Sequence, residues 1–147
     1  MKSEKICSMY KIFLDSDVVI SSLISNVGAS YMLINRNVSI NFISDFSYKE
    51  LMVVIQRLGL DTSKLKILTK NKLRITKLQK NIKETIKNYK NFVKDPNDAH
   101  IVAGAVETRV NFLITFNLKD FEINKIKEKF DIKIMTPGTF LQFLRSK

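Results

Sequence analysis

"KIFLDSDVVISSLIS", Lys11 to Ser25, joins a short apolar run to an acid and then to a longer apolar stretch. Lys11 to Asp15 is short, bounded and apolar, which suits a buried strand. A carboxylate directly abutting "IFL" needs a partner or a shifted pKa wherever the fold buries it. The stretch from Val18 to Asn35 is apolar enough for a packed helix. A strand, an acid at its carboxyl end and then a helix make the opening unit of an alternating architecture.

The alternation continues along the chain. "INFIS" (Ile40 to Ser44), "NFLIT" (Asn111 to Thr115) and "IKIMT" (Ile132 to Thr136) repeat the strand pattern. Phe46 to Leu58 presents Leu51, Val54, Ile55 and Leu58 on one helical face. From Ile75 the apolar positions Ile75, Leu78, Ile82, Ile86, Tyr89 and Val93 are spaced by three and four, which predicts one long amphipathic helix. Its opposite face carries Lys77, Lys80, Lys83, Lys87, Lys90 and Lys94. Ile101 to Val110 predicts a further helix, and Pro137 stands where a first helical turn tolerates proline. Strands alternating with helices predict an α/β fold with a mainly parallel central sheet flanked by helices in three layers.

At 147 residues the chain fits a single domain spanning residues 1–147, able to bury roughly two thirds of its unfolded surface. No repeat, linker or low-complexity segment marks a boundary, and Met1 to Ser8 reads as a short tail. The charged start is unlike a signal peptide, and no apolar run is long enough to cross a bilayer, so no membrane partner is expected. The single Cys7 supports neither an internal disulfide nor a cysteine-rich metal site, which fits a cytoplasmic setting. A formal net charge of +11 suits a polyanionic partner, because Lys and Arg release counterions from phosphates. A genome rich in A and T produces the same abundance of Lys, Asn and Ile, so the charge alone does not decide.

Ligands in α/β sheets bind beyond the carboxyl ends of the strands, and the acids gather on that side. Asp15, with Ser16 and Asp17 after it, ends the first strand. Glu50 falls in the first turn of the helix after the second strand. Asp95 and Asp98 open the helix before the third, and Asp120 follows that strand. Each has an ordinary alternative. "SYKE" (Ser47 to Glu50) matches a capping box, "DPND" matches an N-cap with proline at the first helical position, and Asp120 suits a turn. These alternatives explain the acids singly but not their shared location. Crowded carboxylates repel unless a cation joins them; Mg²⁺ or Mn²⁺ suits hard oxygen ligands, whereas zinc fits poorly with one His and one Cys. A hydrated ion among acids is machinery for hydrolysing phosphodiesters.

With these motifs in place, the sequence resembles the PIN-domain family, in particular the toxin components of bacterial VapC-like toxin–antitoxin systems. "FLDSDVVISSLIS", "FSYKEL", "DPNDAHIVAGA", "FLITFNLKDF" and "IMTPGTFLQFL" follow the family's order over nearly the whole chain. The resemblance implies a PIN-like fold and a metal-dependent endoribonuclease using one or two Mg²⁺ or Mn²⁺ ions. It assigns the acidic quartet to Asp15, Glu50, Asp98 and Asp120, as catalytic and metal-binding residues. Asp95 becomes a cap with an outer role, and Thr115 and Asn117 match polar residues beside the metals. Asp17 departs from the Asn or Ser common in relatives. Lys77, Lys80, Lys83, Lys87 and Lys119 are candidates for the RNA backbone. A small antitoxin and a homodimer are further implications. His100 lies next to this site in sequence but on another helical face, and reads as packing or surface. The competing readings are a non-catalytic nucleic-acid-binding module, and a PIN nuclease of RNA processing or structured DNA.

Overall fold

Five strands form one sheet in a computed structural model that describes residues 9–147: β1 (Lys11–Leu14), β2 (Ile40–Ser44), β3 (Arg74–Thr76), β4 (Phe112–Ile114) and β5 (Lys133–Met135). The expected tail, Met1 to Ser8, lies outside the described residues. The spatial order is β3-β2-β1-β4-β5 and every neighbouring pair is parallel. The strand that opens the described chain is therefore the central one. Leu14 pairs with Ile114, and Ile114 with Met135, so the carboxyl ends of β1, β4 and β5 lie level.

Alternation along β1 divides the core into two layers. Ile12 and Leu14 face one side, packed with Val18, Val19, Leu33, Leu51 and Phe140. Phe13 faces the other, among Ala99, Val102, Leu113 and Ile126. Both faces being covered accounts for strands that are apolar throughout. The covering helices are α1 (Ser16–Ile24), α2 (Ala29–Asn35), α3 (Asp45–Arg57), α4 (Thr62–Asn71), α5 (Ile82–Tyr89), α6 (Ala99–Glu107), α7 (Ile123–Phe130) and α8 (Pro137–Arg145). The three-layer α/β expectation is met. No single helix among the described residues is long and apolar enough to cross a membrane.

Three local expectations are corrected. Val18 to Asn35 is two helices meeting at 97°, because Gly28 takes φ +101° at the turn, a conformation that disfavours side chains. The long helix from Ile75 does not form: Ile75 lies in the edge strand β3, paired with Ile43, and α5 begins at Ile82. Asn81 caps α5 by accepting from the Glu84 N–H at 2.9 Å, and a loop separates strand from helix. A β-strand and a helix in succession happened to keep helical spacing. The capping box at Ser47 is also absent. Ser44 is the N-cap of α3, accepting from the Ser47 N–H at 3.0 Å. That places Glu50 in the second turn, free of capping duty.

Helix α6 approaches the sheet closely. Every residue from Ala99 to Ala105 is buried, and a Cβ on Gly104 would overlap the Phe13 ring. Small residues thus bring α6, with Asp98 before it, close to the central strand.

Candidate active site

Local chemistry fixes each acid in place. Asp15 caps α1: its Oδ1 accepts from the Ser16 N–H at 2.8 Å, and Oδ2 accepts from the Thr115 hydroxyl at 2.9 Å. The Asp15 N–H in turn donates to the Ile114 carbonyl at 2.9 Å. The ends of β1 and β4 are thereby latched together. Asp17, two positions on, accepts at Oδ2 from the Phe116 N–H (3.1 Å) and from the Asn117 side-chain amide (2.9 Å). Its other oxygen is buried without a partner, and an orphaned buried oxygen of an acid invites a cation.

Asp95 performs the capping expected of it, accepting from the Asn97 N–H at 3.0 Å ahead of Pro96. Asp98 ends that 3-10 turn and leads into α6. Asp120 ends a second 3-10 turn after β4, and its carbonyl accepts from the Lys94 N–H at 2.9 Å. With the Val93–Phe121 bridge, this bond ties the segment before Asp98 to the segment bearing Asp120.

The charges record the convergence. Burial, then the Asp17 carboxylate, pushes Asp15 up to about 6, against the opposing Thr115 and Ser16 hydrogen bonds. Burial raises Asp17 too, with Asp120 adding to it. Asp98 is pushed up to about 6 by burial and then by Asp15, Asp120 and Asp95. Asp15, Asp17, Asp98 and Asp120 are therefore brought together from three segments of chain. Glu50 meets His100 and not the aspartates: its Oε1 lies 3.1 Å from His100 Nε2, and the same imidazole opposes the shifts at Asp15 and Asp98.

Against this geometry, the sequence model of the PIN domain matches residues 11–119. The chain belongs to the PIN-domain family. Three solved structures share the fold of this PIN domain. A toxin–antitoxin complex from Klebsiella pneumoniae is 23% identical with TM-score 0.63, covering 86% of this chain and 98% of that one. VapBC2 from Rickettsia felis, bound to a promoter DNA fragment, is 18% identical with TM-score 0.60, covering 85% and 97%. The Sarcin-Ricin loop cleaving toxin VapC20 of Mycobacterium tuberculosis is 12% identical with TM-score 0.52, covering 70% and 87%. A search of the curated proteins finds no match for this sequence.

Among the described residues, no three His, Cys, Asp or Glu side chains of the PIN domain close into a ligand cage. The donor set nevertheless suits a hard, hydrated cation. Mg²⁺ keeps several waters and takes one or two carboxylates directly, and the unpartnered oxygen belongs to Asp17, whose carboxylate, after burial, raises Asp15. Of the basic candidates, Lys83 and Lys87 lie exposed on α5 and Lys119 beside Asp120. Lys77 and Lys80 lie in the loop after β3, which the Leu78 N–H anchors to Asp45 (3.1 Å) and the Gln79 N–H to Glu107 (3.0 Å). Sequence reasoning missed the contact between His100 and Glu50. Its one available signal was a polar ring within the otherwise small and apolar run "AHIVAGA".

Proposed function

We propose that this PIN domain is a metal-dependent endoribonuclease, acting as the toxin of a type II toxin–antitoxin pair in the cytoplasm. The observation that carries the reading is the convergence of half-buried carboxylates from separate segments: Asp17 raises Asp15, and Asp15 and Asp120 raise Asp98. Such an arrangement is unfavourable by itself and becomes favourable around a cation. Asp15, Glu50, Asp98 and Asp120 would hold one or two Mg²⁺ or Mn²⁺ ions. When bound, the ion lowers the pKa of water and polarises a phosphoryl oxygen. Thr115 orients Asp15, Asn117 orients Asp17, and Asp95 keeps the turn before Asp98 in shape. Lys77, Lys80, Lys83, Lys87 and Lys119 bind the phosphates of RNA, which the basic charge of the whole chain attracts.

Replacing Asp98 tests this directly. Asp98→Asn preserves the fold and lowers RNA cleavage by roughly 100-fold or more, the scale on which lost electrostatic stabilisation acts. Equal cleavage by wild type and variant, each freed of contaminating nuclease, would remove the reading. A non-catalytic RNA-binding module would bind RNA equally well in chelator and never cleave it.

The toxin role rests on the shared fold with toxin–antitoxin complexes from other bacteria. It implies a small antitoxin that covers the site, and a homodimer. An antitoxin Arg or Lys would take the cation's place among the carboxylates through charge-assisted hydrogen bonds. A complex whose acids stay open to water and metal would exclude that mode of inhibition. A short open reading frame beside this gene would separate a toxin from an RNA-processing enzyme.

A further inference from the structure

Glu50 stands apart from the aspartates it is expected to join. None of the main causes of the shifts at Asp15, Asp17 and Asp98 is Glu50. Its side chain is 48% exposed on the second turn of α3, whereas the His100 ring that meets it is 3% exposed. A half-exposed Glu samples many rotamers unless something holds it. His100 cannot move in that way: it is packed in α6 and lies against the Phe46 ring at 4.5 Å between centroids. Its Nδ1 is buried with no partner. Leaving a buried ring nitrogen unpaired is unfavourable, and an apolar residue would pack α6 without that penalty. What the imidazole adds is one polar contact, Nε2 at 3.1 Å from the Glu50 Oε1.

We infer that His100 is a positioning residue for Glu50: by donating from Nε2 to Oε1 it fixes the carboxylate and leaves Oε2 as the oxygen offered to a cation shared with the aspartates. The contact links α3 to α6, and so links the acid of the quartet supplied by the β2 side of the sheet to the helix that Asp98 opens. The imidazole also favours the charged forms of Asp15 and Asp98. The inference rests on the proposed cation site and adds a member to it that the acids alone do not reveal.

The test uses His100→Ala, His100→Asn and His100→Gln in the full chain. Gln carries its amide nitrogen to about the reach of Nε2, whereas Asn stops near Nδ1. Binding of Mn²⁺ alone is measured by electron paramagnetic resonance, and Glu50 side-chain couplings by NMR in metal-free protein. We expect the Ala and Asn variants to bind Mn²⁺ about 10–100-fold more weakly, as for other lost outer partners of metal ligands, with Gln restoring most of the affinity. In an E50Q background, His100→Ala should add nothing, because its effect passes through Glu50. Metal-free Glu50 should hold one rotamer in wild type and His100→Gln, and average in the other two. If His100→Ala fails to fold, the Asn and Gln variants carry the same contrast. Unchanged Glu50 rotamers in a folded variant overturn the inference, as does an equal loss of Mn²⁺ affinity with and without Glu50. Should wild type bind no Mn²⁺, the cation reading falls, while the metal-free couplings still decide whether His100 holds Glu50.

Discussion

Asp15 shows how much a single residue discloses. Its position after three apolar residues announced a buried carboxylate, and the fold supplies both the burial and the Thr115 hydroxyl that answers it. Because its folded pKa is raised above the ordinary value, the folded protein holds that proton more tightly than the unfolded chain. The resulting penalty is absent below pH 3.8 or so and complete above about 6. Metal-free protein should therefore lose stability as pH climbs through that window, and Asp15→Asn should lose less. In chelator near pH 7.5 we expect the variant to be more stable by about 2 kcal/mol, with the two melting curves converging near pH 4. Added Mn²⁺ should reverse the order by stabilising wild type. Parallel melting curves across the whole range would mean that Asp15 is solvated and isolated. His100 illustrates the opposite limit of legibility. No spacing rule relates it to Glu50, since their meeting depends on the packing of α3 against α6.

Among the elements, the three inner strands β1, β2 and β4 and the edge strand β5 were legible because runs such as "KIFLD" and "NFLIT" are short, bounded and mostly apolar. The edge strand β3 was not. Its three residues are exposed or half-buried, and Ile75 continued a helical rhythm into which the next element also fell. Periodicity reads burial, and an edge strand this short has little burial to read. The cap of α3 escaped for a related reason: Ser44 and Ser47 are both plausible caps, and only the length of β2 decides between them. Helix α6 yields a sharper test. Gly104→Ala pushes a Cβ into the fully buried Phe13 ring, an overpacking that should cost about 1–3 kcal/mol in urea denaturation. The strain also moves Asp98, so cleavage should fall further than the stability loss explains. Phe13→Leu in the same chain should recover part of both. Full stability in Gly104→Ala alone would mean that α6 does not need its close approach.

For the whole molecule, net charge was visible at once but its distribution was not. The broken helix divides the expected lysine stripe: Lys83 and Lys87 remain on one helix, while Lys77 and Lys80 belong to an anchored loop. If these four bind phosphates, replacing them by Ala should weaken RNA binding in chelator. It should also flatten the dependence of log K on log salt by up to roughly 0.7 per lysine, the value for single strands. An unchanged slope would make them a solvated face. The topology itself carries another consequence. β1 is synthesised before its partner β4, and the hydroxyl that clamps Asp15 lies 100 residues downstream, beyond the β4 strand that completes its pairing. A nascent chain halted before Asn111 would hold Asp15 beside an open strand edge, without its latch and without Asp120. The centre is thus incomplete in any fragment that stops short of β4 and the turn after it.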